Sequence, residues 1–498
     1  MACSLQITLY CLTPMSRRST RVKFRCRGRS LFHLFVLFSA GVFLFHLYFH
    51  ICVVPVIPSE ESCIMAKVSC HRDKEASKMQ KDKGYGPQVG IDELRDVGKE
   101  RSQGKNSPCR KTEEESRFRE VKRGIIAYSA WFDDRKSLEY VRILLLTSTR
   151  EPLPMLFCHF DSELKRSFTS RVSYYQHSEN HYMPFGCFIA SCVVPPELDH
   201  IPCFVIVSTY DNSTYKTQTE SSSLVLPINF IDRKIEKVGH KQYGICIPPL
   251  HGEISVDTLI EFLELSQILG ASHFTFYNLN MSDSVQNVLD YYEEKGLARV
   301  LLWNLPSYIG EYDIHYYGQT LSIMDCLFRS MTYLDFVAFN DLDEFIVPLY
   351  HHNMSVLLKE IHHKEHCGHC FQSAIFNPSW EDLQISRLIT QRVFRRTKEA
   401  TPFWTKCIVD PRRIFEVGIH HISKPIEDNF IVDQVDWSVA RVFHYRKCDD
   451  SEALMQPDCS GNIEEDKTMQ KYEEQLQINF EMNAMAIVDF AETDYESV

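Results

Sequence analysis

The sequence predicts an α/β protein with three parts: an N-terminal membrane-spanning helix, a small β-rich domain, and a larger domain of mixed, mostly parallel sheet. Three observations carry this reading. From about Tyr243 to Phe345, apolar runs of strand length alternate with runs whose apolar residues recur at helical spacing, as in a parallel sheet crossed over by helices. From Gly124 to about Ile231, short β-branched and aromatic runs follow one another with turn residues between them. Ahead of both, Leu31 to Ile57 is almost wholly apolar and contains no Asp, Glu, Lys or Arg.

Residues 1–30 form a basic tail, with Arg17, Arg18, Arg21, Lys23, Arg25, Arg27 and Arg29 crowded before the apolar run. Residues 31–57 exceed the ~20 needed to cross a bilayer as a helix. The run is too long for a cleaved signal, and no Ala-x-Ala-like site follows it. Positive charge on its near side keeps the N-terminus cytoplasmic and places the body in the secretory lumen, a single-pass type II arrangement. Residues 58–123 are polar and poor in aromatics, which suits a flexible stem. Of 18 cysteines, those beyond the span are even in number, as a disulfide-forming lumenal protein would have. Asn212, Asn280 and Asn353 head glycosylation acceptor tripeptides. The net charge of −12 and the lack of a basic stripe in the body exclude a nucleic-acid binder.

Residues 124–240 make the β-rich domain, with strand-like runs near Tyr140, Leu156, Cys187, Phe204 and Ser223. Residues 241–458 make the larger domain. It opens with a strand ending in Cys246-Ile-Pro-Pro-Leu-His-Gly252 and a helix that Asp257 can cap and Gly270 ends. A strand from His273, a helix from Ser284 to Lys295, a strand from Ala298 and a helix from Gln319 to Met331 follow. Residues 459–498 are acidic and polar, and a loosely packed tail is expected there.

The third helix leads into Phe336-Val-Ala-Phe-Asn-Asp341-Leu-Asp343-Glu344-Phe345-Ile-Val-Pro348. In a strand, residues i and i+2 share a face, so Asp341 and Asp343 are expected to converge. Two carboxylates so close call for a cation, and hard oxygen ligands suit Mn²⁺ or Mg²⁺. Ligands of parallel sheets gather at the carboxyl ends of the strands, where these residues would lie. His444 is the candidate third ligand, against the alternative of a hydrogen-bonded core histidine. Glu344 either binds the metal's water shell or a sugar hydroxyl, or is a solvated strand residue. Lys406, Arg412 and Arg413 are cations able to neutralise a phosphate, or simply a solvated basic face. His420 and His421 either contact sugar or act as acid or base, with half-buried structural histidines as the alternative. His362-His-Lys-Glu-His366-Cys367-Gly-His369-Cys370 could hold zinc, though disulfide pairing of its cysteines is the simpler reading.

Several segments together resemble glycosyltransferase family 92. They are Tyr128-Ser-Ala-Trp-Phe-Asp-Asp-Arg135, the Cys246–Gly252 motif, Leu269-Gly-Ala-Ser-His-Phe274, Asp325-Cys326, Phe339–Phe345, Gly418-Ile-His-His421 and His444-Tyr-Arg446. The pattern departs from the family at Val409-Asp-Pro-Arg-Arg413, where an Arg-Pro pairing is expected, which passes a phosphate role there to Arg412 or Arg413. The resemblance implies a GT-A-like nucleotide-sugar domain in a Golgi membrane protein. It also implies an inverting, Mn²⁺-dependent transfer of a hexose, galactose in characterised relatives, from a UDP-sugar to a glycan acceptor on a glycoprotein or glycolipid. On that reading Asp341, Asp343 and His444 hold the metal, and Pro248, His251, Asp341, Lys406 and Arg412 bind the donor. Glu381 and Asp382, after Trp380, are the candidate catalytic bases, with a polar loop as the alternative. The competing function is a non-catalytic lumenal glycan-binding or scaffold protein that keeps the fold.

Overall fold

The computed structural model describes residues 4–10, 19–25, 116–161, 167–198, 200–211, 223–230, 241–380, 386–448 and 462–496. The expected membrane span, nearly all of the stem, Asn212, Glu381 and Asp382 lie outside them. Among the described residues no helix is long and apolar enough to cross a membrane. Residues 1–90 form one unit, in which Ser4–Tyr10 and Ser19–Arg25 pair as an antiparallel ribbon. Residues 91–498 form the other unit, which contains everything below.

Its β-rich part is a nine-stranded sheet. The central strands Ile125–Asp133, Tyr140–Ser148 and Phe185–Val193 are buried along almost their whole length. Alternation explains this. Ile125, Ala127, Ile143, Leu145, Phe188 and Ala190 pack into the sheet's own core. Ile126, Tyr128, Leu144, Leu146, Cys187 and Ile189 point the other way, into a core shared with the second sheet. The segment expected to be a separate domain is therefore one wall of a common core.

The second sheet is built from β1 (Lys241–His251), β2 (His273–Asn280), β3 (Ala298–Leu302), β4 (Leu334–Phe339), β5 (Glu344–Pro348), β6 (His366–Ile375), β7 (Thr401–Val409), β8 (Ile431–Gln434) and β9 (Ala440–His444). Helices α1 (Val256–Ile268), α2 (Asp283–Glu294), α3 (Gln319–Ser330), α4 (Met354–Ile361) and α5 (Glu473–Glu496) accompany it. The spatial order is β3-β2-β1-β4-β7-β6-β9-β5, with β8 beside β6. The expected parallel alternation holds from β1 to β4. Beyond β4 the sheet is mixed, because β7 runs antiparallel to both β4 and β6. Ser255, not Asp257, occupies the cap position of α1; Asp257 sits in the first turn, where its charge suits the helix dipole.

The C-terminal stretch is not loosely packed. Leu476, Phe480 and Ile487 of α5 are buried in the core that contains α1 and α2. Their spacing puts one apolar stripe on an otherwise polar helix.

A buried polar knot joins the two sheets. Asp325 of α3 accepts from Ser129 Oγ (2.7 Å), Tyr277 OH (2.8 Å) and Arg329 Nε (2.5 Å), and it is fully buried. The Cys246–Cys326 disulfide pins α3 to β1 beside it.

The sheet also folds over itself. β4 ends at Phe339 and β5 begins at Glu344, yet β7, β6 and β9 lie between them in the sheet. Four strand spacings of ~4.8 Å come to ~19 Å, more than a tight turn can bridge. β6 shows where the bend falls. Gly368 to Phe371 pair with β7, Ser373 to Ile375 pair with β9, and the β7 register shifts between Phe371 and Ser373. The segment Asn340–Asp343 lies on this seam.

Candidate active site

Asp341 and Asp343 occupy a turn, not a strand face. The Glu344 amide donates to the Asp341 carbonyl (3.2 Å), and the Asp341 amide donates to Glu344 Oε2 (3.0 Å). Glu344 holds this turn, and both aspartate side chains remain about 40 % accessible (39 % and 41 %).

Register supplies the partners. Ile408 faces Ala338 and Val409 faces Val337, so Lys406 of β7 comes level with Asn340 at the end of β4. Its ammonium lies 3.1 Å from Asp341 Oδ2 and 2.8 Å from Glu344 Oε2, and the residue is 1 % exposed. Burial alone would discharge this lysine, but Asp341 and Glu344 outweigh burial and raise its pKa. Burial would likewise raise Asp341; Lys406 outweighs it and holds that carboxyl below its usual value. Glu344 goes the other way. Burial lifts it to about 6, against the pull of Lys406.

His444 ends β9 directly opposite Glu344. Its Nε2 is 3.5 Å from Asp343 Oδ2, and its Nδ1 is 3.8 Å from Glu344 Oε1. That buried Nδ1 makes no hydrogen bond. Burial opposes charge on the ring, yet Asp343 and Glu344 prevail and raise its pKa. His420, whose Nδ1 is 3.2 Å from the Thr405 carbonyl, is held near 4 by burial and by Lys406.

Asp341 and Lys406 line a cleft of about 250 Å³, counting the part open to solvent. Pro248, Tyr277, Gln319, Ser322 and Ile419 contribute to its walls. The cleft thus opens at the carboxyl ends of β1 and β4.

Residues 241–487 match the family model described as glycosyltransferase family 92. The chain belongs to this family and is a glycosyltransferase. It is 28 % identical over 357 residues to a Caenorhabditis elegans protein named beta-1,4-galactosyltransferase galt-1, covering 66 % of this chain and 76 % of the relative. A second C. elegans relative, named as a glycosyltransferase family 92 protein, is 29 % identical over 116 residues, 22 % of this chain and 23 % of that one. A solved structure titled as a mycobacterial protein overlaps 47 % of this chain and 79 % of its own at 14 % identity, with a TM-score of 0.26, too low to argue from. The family 92 match runs from β1 into α5, so the C-terminal helix is part of the transferase domain.

Of the residues singled out in the sequence, the family 92 domain lines one cleft with Pro248, Asp341 and Lys406, and pairs Asp343 with His444. His251 lies at the end of β1 with its ring 4.4 Å from that of Tyr317. Arg412 is elsewhere: it donates to the Leu334 carbonyl (2.8 Å), at the opposite end of β4 from Asp341 and roughly 20 Å away along the strand. The antiparallel run of β7 sends Asp410, Arg412 and Arg413 away from the aspartates, and Arg413 pairs with Asp410 (3.0 Å).

Sequence reasoning missed three features. Glu179, from the β-rich wall, accepts the Ile419 amide (2.7 Å) at the cleft lining. Burial would raise its carboxyl, but His181, the Ile419 amide and His421 bring it down to about 2. Gly418 leaves room for this contact, since a Cβ there would come within 2.5 Å of Glu179 Oε2 and displace that carboxylate. His181 and Tyr182, and Tyr316 and Tyr317 just before α3, hold left-handed backbone at φ of 52°, 59°, 39° and 53°. Bulky residues avoid that region, so no local signal announces them, and such strain concentrates at functional sites. The His181 and His315 rings stack at 3.6 Å, joining the two strained segments.

Proposed function

We propose that this family 92 enzyme transfers a hexose, read as galactose, from a UDP-sugar to a glycan acceptor, inverting to a β linkage, on a GT-A-like domain. The setting is the Golgi lumen, with an N-terminal helix as anchor. The observation that carries the reading is the pairing of His444 Nε2 with Asp343 Oδ2 (3.5 Å) beside Asp341, whose carboxylate is held by the buried Lys406 (3.1 Å). Two accessible carboxylates and the His444 Nε2 that faces one of them are oxygen and nitrogen donors of the kind Mn²⁺ or Mg²⁺ takes. Bound there, the ion would supply Lewis-acid stabilisation to the departing UDP diphosphate.

The chain's own residues do the rest. Lys406 fixes the orientation of Asp341 and presents positive charge in the cleft, where phosphate oxygens would lie. Glu344 holds the turn through the Asp341 amide. Pro248 and Tyr277 wall the pocket and exclude water. Glu381 and Asp382 remain the proposed bases for deprotonating the acceptor hydroxyl. The name of the C. elegans relative, a β-1,4-galactosyltransferase, favours galactose as the sugar.

The test incubates the purified full chain with a panel of UDP-sugars and Mn²⁺, with and without chelator. UDP-galactose turnover that needs Mn²⁺ is expected, as is Mn²⁺-dependent thermal stabilisation by UDP that disappears in Asp343→Asn. If no donor is hydrolysed or transferred, and Asp341→Asn leaves UDP binding unchanged, the metal-dependent reading fails.

A further inference from the structure

The histidine cluster at the start of β6 is unused by the site above. We propose that His362, His366 and His369 form a second metal site, which takes Zn²⁺ and clips the end of α4 to the sheet. The proposal is independent of the donor sugar and of the Asp341 site.

Local backbone brings the three rings together. His362 is the last residue of the α4 turn, its amide still bonded to the Leu358 carbonyl (3.0 Å). A tight turn follows, with the His366 amide donating to the His363 carbonyl (3.0 Å). In a regular strand, His366 and His369 would face opposite sides. Against β8, however, the register shifts between His366 and Gly368, inserting one extra residue, and this lets both imidazoles lie on one side. Gly368 permits the irregularity: a Cβ there would come within 2.8 Å of the Ile408 carbonyl oxygen.

The donor atoms suit zinc. One ring nitrogen from each histidine lies within 4.8 Å of the others. Tetrahedral zinc with bonds of ≈ 2.0–2.1 Å needs its ligands about 3.3 Å apart. His362 Nδ1 and His369 Nε2 already stand 3.0 Å apart. His369 is fully buried, and its Nδ1 donates to Asp433 Oδ2 of β8 (2.8 Å). That bond leaves the Nε2 lone pair turned toward the cluster, the carboxylate–histidine arrangement that supports metal ligands. Three contacts oppose the ion. With His369 Nδ1–H given to Asp433, His362 Nδ1–H donates to His369 Nε2, and that proton moves to His362 Nε2 when the ion binds. The His363 amide reaches His366 Nδ1 at 3.4 Å and gives way as that ring turns, and Arg413, bonded to the Lys364 and His366 carbonyls, adds positive charge. Asp433 supplies the balancing negative charge.

The neighbouring cysteines are not ligands. Cys370 is bonded to Cys407, and the Cys367 thiol donates to the Ile431 carbonyl. The cluster is also separate from the cleft. Ala338, Ile408 and His369 form one row across β4, β7 and β6, and Asp341 lies three residues further on, about 10 Å along β4.

The test strips the full chain with chelator and titrates Zn²⁺ alone, reading stoichiometry calorimetrically and, with Co²⁺, the visible spectrum of a tetrahedral site. The Asp343→Asn chain serves as background, so that the cleft does not contribute. One equivalent is expected to bind and to raise Tm. His362→Gln, at the partly exposed helix end, should lose at least tenfold in affinity while its metal-free Tm stays near that of the background. Asp433→Asn should weaken binding by 10–100-fold. Zn²⁺ binding that His362→Gln and His369→Gln both leave intact, or no binding in the Asp343→Asn background, overturns the proposal.

Discussion

Lys406→Met removes a buried ammonium from between two carboxylates and asks what holds the aspartate turn. Breaking a buried ion pair costs about 3–5 kcal/mol when one charge is left without a partner. Asp341 is 39 % accessible, so water recovers most of its share. Glu344, 1 % exposed, cannot be rescued that way, and the lower end, about 3 kcal/mol, is expected at pH 7.5. The sign with pH follows from Glu344. Its folded value of about 6 lies above the ordinary 4.5, so its ionisation costs stability as pH rises between those values. At pH 5.5 that carboxyl is largely protonated in the parent already, and the penalty should fall to roughly half. Lys406→Met combined with Glu344→Gln leaves no unpaired buried charge, so it should be less destabilised than the sum of the single variants. Urea unfolding followed by tryptophan fluorescence at both pH values measures all three. A Lys406→Met protein as stable as the parent at pH 7.5, or a double variant that loses the full sum, would refute the reasoning.

Three other outcomes are expected. Asp325→Ala leaves Arg329 buried without its carboxylate and should cost about 3–5 kcal/mol, seen as a lower urea midpoint. Asp133, whose carboxyl Arg135 and Arg142 bring down to about 2 against the effect of burial, gives stability that is present above 3.8 and lost as pH falls toward 2. The loss should be about 2 kcal/mol and absent from Asp133→Asn in acid titrations of stability. Phe480→Ala on α5 should cost about 3–5 kcal/mol; a tail packed on nothing would show no change in thermal unfolding.

The chemistry of the site was legible in the residue types: two aspartates after an apolar strand, a later histidine, and several cations. Its geometry was not. Asp-x-Asp reads the same on a strand face or in a turn, and only the Glu344 hydrogen bonds decide between them. Lys406 and Arg412 are equal candidates until the direction of β7 is known; running antiparallel to β4, it delivers one to the cleft and carries the other away. Alternating strands and helices up to β4 could be read from periodicity. The mixed half could not, since its pairings join segments far apart in the chain. In α5 the apolar residues Leu476, Phe480 and Ile487 are at helical spacing, but the surrounding acidic residues mask them. Glu179 and the left-handed tyrosines leave no local trace, because loops from the β-rich wall acquire meaning only where they meet the second sheet.

The seam between β4 and β5 bears on the order of folding. The turn itself is local, but its lysine arrives more than sixty residues later on β7, and its histidine about a hundred later on β9, which pairs with β5 across the bend. Contacts so distant in sequence form slowly, after local helices and hairpins. The proposed ligand set is therefore complete only in a fully folded chain. Affinity for Mn²⁺ at Asp341, Asp343 and His444 would then report maturation: a species with native helices and an unbent sheet would bind the ion weakly, however native its circular dichroism.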